Sequence, residues 1–246
     1  MTGGGRREIG PKYPYLSLIV VLIYFANSTR PYIAFVVNRL ARHSAAPTKH
    51  HWTRGKQILR YLNSTKDLGL YFQKTQDSSL VGYTDTGYMS DPHNARSQTG
   101  FIFLHGSRPS KLVATSTNHS DIITLYEASR ECVWLHRMLN HIEQSCGISS
   151  MKTPTVIYED NAACVTQMQT GYIKSNMTKH IAPKLFFPHE LQQSREINVV
   201  QTKSCDNLAD LFNKSLPTSS FEKCVRGIGM RRLRELQDPG GVSLEN

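Results

Sequence analysis

The sequence predicts a mixed α/β fold in which helices pack on a sheet, preceded by a helical extension. Two observations predict it. Apolar residues recur at three- and four-residue steps in residues 13–62 and again from about Ser120 to Gln144. Runs of strand length lie between and after these helices: Leu68–Phe72, Leu80–Asp85, Gly100–Leu104, Pro154–Glu159 and Ile197–Gln201. Strands on both sides of a long helix call for a mixed sheet flanked by helices. With 39% hydrophobic and 20% charged residues in a chain of 246, a real core is available and wholesale disorder is excluded.

The elements follow in order. Residues 1–12 are Gly-rich and read as a disordered N-terminus. An apolar helix from Tyr15 breaks at Arg30-Pro31, and Ala34-Phe35-Val36-Val37 with Leu40 forms a second. After Ala46-Pro47, a third helix runs from His51 to Leu62, with Trp52, Ile58, Leu59 and Leu62 as its apolar face. Ser97-Gln98-Thr99 reads as the turn before the strand Gly100–Leu104. In the long helix Ile122, Leu125, Cys132, Leu135, Leu139 and Ile142 share a face, with Trp134 beside Leu135 as an anchor and Asn118 or Ser120 as the cap. A helix starts at Asn161 and another near Asp206, and Asp238–Asn246 is a frayed tail.

Charge is uneven. The formal net charge is +10, and residues 1–60 hold ten Lys or Arg against Glu8 alone, a net +9. Such a field suits a polyanion, above all a nucleic-acid backbone, and equally describes a solvated basic surface. Five cysteines without a CxxC pair give neither a disulfide framework nor a zinc cluster and favour a reducing compartment. The longest apolar run, Tyr15–Ala26, is shorter than the roughly 20 residues a bilayer requires, so no membrane association is expected. No secretory pattern precedes it, which points to a cytoplasmic or nuclear protein that is not secreted.

Four carboxylates share a positional logic. Asp85 lies in a strand, Asp121 in the first turn of the long helix, Asp160 at a strand end and Asp210 in the last helix. If neighbouring strands pair, the four converge on one edge of the sheet. Repulsion of about 4 kcal/mol per pair at ~4 Å and an effective dielectric near 20 then demands cations. Hard oxygen donors suit Mg²⁺, and a pair of ions roughly 3.5–4 Å apart serves phosphodiester hydrolysis. Taken singly, an Asp is more often a cap or a solvated surface group than a metal ligand. Glu159 should point away from Asp160, to the opposite side of the strand.

Several stretches carry a family resemblance: GYTDTGYMSDPHNARSQTGF at 82–101, STNHSDI at 116–122, EASRECVWL at 127–135, IYEDNAA at 157–163, TKHI at 178–181 and NLADLFNKSLP at 207–217. They resemble the ribonuclease H domain of copia-type retrotransposon Pol polyproteins. Upstream, YLSLIVVLIYFANSTRP at 15–31 and HWTRGKQILRYLNST at 51–65 resemble the C-terminal tail of the reverse transcriptase in the same polyprotein. The resemblance implies a ribonuclease H-like mixed sheet flanked by helices, and an endonuclease that cuts the RNA strand of RNA–DNA hybrids. It also implies two Mg²⁺ ions, with Mn²⁺ as a substitute. Its implied partners are the hybrid and the remainder of the polyprotein, including the reverse transcriptase palm. By position Asp85, Asp121, Asp160 and Asp210 match the four catalytic, metal-holding carboxylates. The alternative is a catalytically inactive, degenerate nucleic-acid-binding remnant.

The expected domains are a helical tail at 13–66, the ribonuclease H-like domain at 67–217 and a C-terminal helix and tail at 218–246. Three departures from the family pattern have physical consequences. Asp121 stands where the family has Glu, and a displacement of about 1 Å at a reacting centre costs on the order of 100-fold in rate. Residues 106–112 are fewer than the family places before the long helix, so an edge strand is expected to be shortened or lost. Pro188, with Pro183 five residues before it, should kink or break the helix expected within Lys179–Gln193. His180 reads as a local backbone contact or, less simply, a catalytic group. Arg226, Arg231, Arg232 and Arg234 suit either phosphates or a solvated face.

Overall fold

The computed structural model describes residues 13–72, 79–91, 96–106, 109–117, 121–147, 153–171 and 182–237. The expected disordered N-terminus, the caps Asn118 and Ser120, the TKHI motif with His180, and the C-terminal tail lie outside them. Two compact units divide the chain at 72/73 and 228/229.

In the first unit, α1 (Tyr15–Ser28), α2 (Ala34–Ala41) and α3 (Lys49–Ser64) follow one another, separated by the 3-10 turn Pro31–Ile33 and the loop at 42–48. Helix α3 begins at a capping box, in which Thr48 Oγ1 accepts from the His51 amide and His51 Nδ1 accepts from that of Thr48. Its buried face is His51, Gly55 and Ile58, one residue round from the face expected through Trp52 and Leu59. Gly55 is the reason: a Cβ there would come within 2.6 Å of Leu18 Cδ2, so α1 approaches α3 at this glycine. Strand β1 (Leu68–Leu70) pairs antiparallel with β7 (Met230–Arg232), and α8 (Leu233–Gln237) follows. That pairing places β1 in the first unit, which comprises residues 1–72 and 229–246. Helix α7 (Thr218–Gly227) lies in the second unit.

The second unit is built on a five-stranded sheet of order β4-β3-β2-β5-β6: β2 is Leu80–Asp91, β3 Arg96–His105, β4 Pro109–Thr117, β5 Thr155–Glu159 and β6 Ile197–Gln201. The first three strands are antiparallel neighbours, and β5 and β6 run parallel to β2. Alternation assigns opposite faces. On one lie Leu80, Phe101, Phe103, Ile157, Ile197 and Val199. They pack with Leu125, Cys132 and Leu135 of α4 (Asp121–Ser145), Val165 and Met168 of α5 (Ala162–Thr170), and Leu185 of α6 (Ala182–Gln193). Each such buried side chain contributes about 1.5–3 kcal/mol. Leu135 is fully buried as expected, while Trp134 remains 51% exposed beside it.

The other face meets the 3-10 turn Leu208–Phe212. Gly100 permits the contact, since a Cβ there would lie 2.9 Å from Phe212 Cβ and 3.0 Å from the Ala209 carbonyl oxygen. Gln98, on the same face, donates to the Phe212 carbonyl at 2.7 Å. Asn207 caps the turn and also donates to the Thr84 carbonyl at 2.8 Å.

Four expectations are corrected. The edge strand is neither lost nor shortened: residues 109–117 form β4 and pair along β3 from Leu104 to Ser97, with Pro109 at the first position, where a strand tolerates it. Residues 97–99 are strand rather than turn, because β3 starts at Arg96. Near Asp206 two 3-10 turns replace the expected helix, and α7 starts only at Thr218. Helix α6 continues through Pro188, whose side chain is buried in its inner face, while Pro183 sits in the first turn where no donor is required.

Candidate metal centre

Asp85, Asp160 and Asp210 each present a carboxylate oxygen within 4.8 Å of the others. The fold accounts for each. Asp85 is on the β2 face that meets the 208–212 turn, opposite Gly100 in the β3 register. Asp160 follows the end of β5, which runs parallel beside β2. Asp210 sits in the middle of the 3-10 turn, anchored by Asn207 and pressed against Gly100. Three chain segments far apart in sequence thus bring three carboxylates to one end of the sheet.

Two neighbouring side chains answer this concentration of charge. Asn213 Nδ2 donates to Asp85 Oδ2 at 2.6 Å. Lys214 Nζ lies 2.8 Å from Asp85 Oδ2, 2.8 Å from Asp210 Oδ1 and 4.0 Å from Asp160 Oδ2. Burial pushes the Asp85 carboxyl up to about 7, against the pull of Lys214 and with Asp210 adding to the rise. Burial acts to lower the Lys214 pKa, but its bonds to Asp210 and Asp85 outweigh that and raise it. The two upward shifts thus have different causes: burial for Asp85, and the bonds to two carboxylates for Lys214.

Asp121 is not a member of the trio. Its helix packs on the opposite sheet face, where Thr124 contacts Thr86. The Asp121 carboxylate accepts a hydrogen bond from Asn161, the residue that also caps α5 through its side-chain oxygen. Glu159 lies on that same side, as alternation requires: it accepts from Thr84 Oγ1 at 2.8 Å and from the Asn161 amide at 3.1 Å. Burial, then the charge of Asp121, raises its pKa well above the ordinary carboxylate value.

Asn207, Asn213 and Lys214 were not singled out among the candidate residues, although all three lie within the stretch 207–217. The signal was spacing: Lys214 follows Asp210 by four residues, an interval at which a turn brings two side chains together. Asn213 carries no comparable signal, since its partner is 128 residues away.

The strand order and directions, with helices packed on the sheet, define a ribonuclease H-like α/β domain. No family model matches the chain. A retrovirus-related Pol polyprotein from transposon TNT 1-94 of Nicotiana tabacum is 32% identical over 226 residues, covering 89% of this chain and 16% of that one. The corresponding polyprotein from transposon RE2 of Arabidopsis thaliana is 32% identical over 232 residues, covering 90% and 16%. Over about 90% of its length the chain is homologous to copia-type retrotransposon Pol polyproteins. It spans about one sixth of the relatives it matches. Among solved structures, an N-terminal ribonuclease H domain from Mycobacterium tuberculosis overlaps 61% of this chain and 97% of its own, at 15% identity and a TM-score of 0.41.

Proposed function

We propose that the chain hydrolyses the RNA strand of RNA–DNA hybrids by divalent-metal catalysis, as the ribonuclease H segment of a Pol polyprotein whose reverse transcriptase tail is the helical first unit. The observation that carries this reading is the trio Asp85, Asp160 and Asp210, with oxygens within 4.8 Å of one another. An all-oxygen, anionic donor set fits Mg²⁺, or Mn²⁺ in its place, and does not fit a softer metal. Asp85, Asp160 and Asp210 would hold the metal, with Asp121 as the fourth carboxylate. Bound there, it would supply an activated water and charge stabilisation for the departing phosphate oxygen.

The chain's own residues prepare that site. Asn213 fixes the rotation of the Asp85 carboxylate by occupying Oδ2, and Asn207 ties the turn carrying Asp210 to the β2 backbone. Orientation of this kind is what a reacting centre needs, since errors of about 1 Å are costly. Exposed Arg39, Lys49, Arg54 and Arg60 of the first unit suit the phosphate backbone of a hybrid. Among the described residues, no helix is long and apolar enough to cross a membrane.

A second reading, a silent nucleic-acid-binding remnant, is favoured by one observation: Asp121 is hydrogen-bonded to Asn161 and stands apart from the trio. Incubation of purified protein with end-labelled hybrid and Mg²⁺ separates the two. Cutting that disappears in Asp85→Asn/Asp160→Asn supports the nuclease, and retention of hybrid without cutting supports the remnant.

A further inference from the structure

Lys214 brings a cation of the chain itself to the carboxylate trio. Its ammonium touches Asp85 and Asp210 at 2.8 Å and approaches Asp160 to 4.0 Å. The three carboxylates also bring oxygens within 4.8 Å of one another, so the ammonium lies against the same carboxylates that a divalent ion would use. On the reading of the trio as a metal site, we propose that Lys214 is a resident counter-ion that competes with divalent metal and sets the concentration at which the site loads.

The local structure equips Lys214 for that role. Its backbone is fixed, because its amide donates to the Asp210 carbonyl at 3.0 Å. Its side chain is 34% exposed, against 5%, 15% and 11% for the side chains of Asp85, Asp160 and Asp210, so a path to solvent exists for the lysine and hardly for the carboxylates. A flexible four-carbon stem ending in a hydrated point charge leaves such a position readily. Asn213 is neutral and donates to the same Asp85 oxygen, so Asp85 keeps its orientation when the ammonium withdraws. Two functions are therefore divided between adjacent residues: Asn213 orients Asp85, and Lys214 neutralises the trio until metal displaces it. Without either cation, three buried or half-buried carboxylates would repel across less than 5 Å.

The test is calorimetric titration of Mn²⁺ into the full chain, in wild type, Lys214→Met and Lys214→Arg, with melting temperatures in EDTA and in Mn²⁺. Lys214→Met removes the competing charge at similar volume, so it should bind Mn²⁺ about tenfold more tightly than wild type. It should also melt lower in EDTA and gain more from Mn²⁺, while Lys214→Arg stays near wild type in affinity. Should Lys214→Met show no cooperative transition even with Mn²⁺, Lys214→Gln takes its place in the same comparison. Equal or weaker Mn²⁺ binding by the folded neutral variant overturns the competition and leaves the metal site standing. Absence of Mn²⁺ binding in both proteins overturns the metal site and the competition together.

Discussion

Asn213 donates a 2.6 Å hydrogen bond to Asp85 across 128 residues of chain, and this bond joins the 3-10 turn carrying Asp210 to the central strand carrying Asp85. Replacing Asn213 with Ala leaves a buried carboxylate oxygen with Lys214 alone. A hydrogen bond to a charged group contributes about 1.5–3 kcal/mol, so the melting transition in EDTA should fall correspondingly. Mn²⁺ affinity should weaken too, because the carboxylate loses its fixed rotation. Stability unchanged within error would show that the bond does no positional work.

The architecture around that bond was largely legible in the sequence, and the reason lies in periodicity. Ile197–Gln201 and Pro154–Glu159 are short β-rich runs bounded by breakers, and the strands match them to within a residue. Strand ends and facing helix turns that converge on one sheet edge anticipate the closeness of Asp85, Asp160 and Asp210, whose carboxylate oxygens lie within 4.8 Å of one another. What was not legible depended on contacts between distant segments. The strand β4 is a polar-rich stretch whose identity comes only from pairing with β3. The turn 208–212 is held to the sheet by Gly100, Gln98 and Asn207, none of which announces a 3-10 conformation locally. The face on which Asp121 stands depends on how α4 packs, which sequence spacing does not fix.

Gly100 is the test of how tightly the turn must sit. Gly100→Ala places a Cβ 2.9 Å from Phe212 Cβ and 3.0 Å from the Ala209 carbonyl oxygen, closer than packed atoms tolerate. Relief requires the turn to move away from the sheet, at a cost of about 1–3 kcal/mol for overpacking. Because Asp210 moves with it, Mn²⁺ affinity should drop along with stability. A variant that loses stability but binds Mn²⁺ as wild type does would separate the turn's packing from the site.

Asp121→Glu adds the methylene that the family resemblance implies at this position. On the nuclease reading the longer side chain reaches further round the sheet end toward the trio. Cleavage of labelled hybrid should then rise, by up to about 100-fold if the gain is near 1 Å. An unchanged or lower rate would mean that the orientation of α4, and not side-chain length, keeps this carboxylate apart.

His136 makes stability depend on pH away from the site. Burial lowers its pKa, with the Glu196 charge opposing, and its Nε2 lies 2.6 Å from Thr155 Oγ1. The folded pKa is thus below the unfolded value of about 6.5, so the unfolded chain takes up the proton first. Its contribution is complete above the unfolded pKa and lost as pH falls through the folded one. Melting temperatures from pH 8 to pH 5 should decline less in His136→Gln than in wild type, and parallel curves would contradict the assignment.

If Asp85, Asp160 and Asp210 together hold a divalent cation, Mn²⁺ calorimetry on single Asp→Asn variants will show it. Wild type should bind, each of Asp85→Asn, Asp160→Asn and Asp210→Asn should lose most of the affinity while still melting cooperatively, and Asp121→Asn should keep most of it. Binding that survives the first three substitutions, or that depends on Asp121 alone, would contradict that reading.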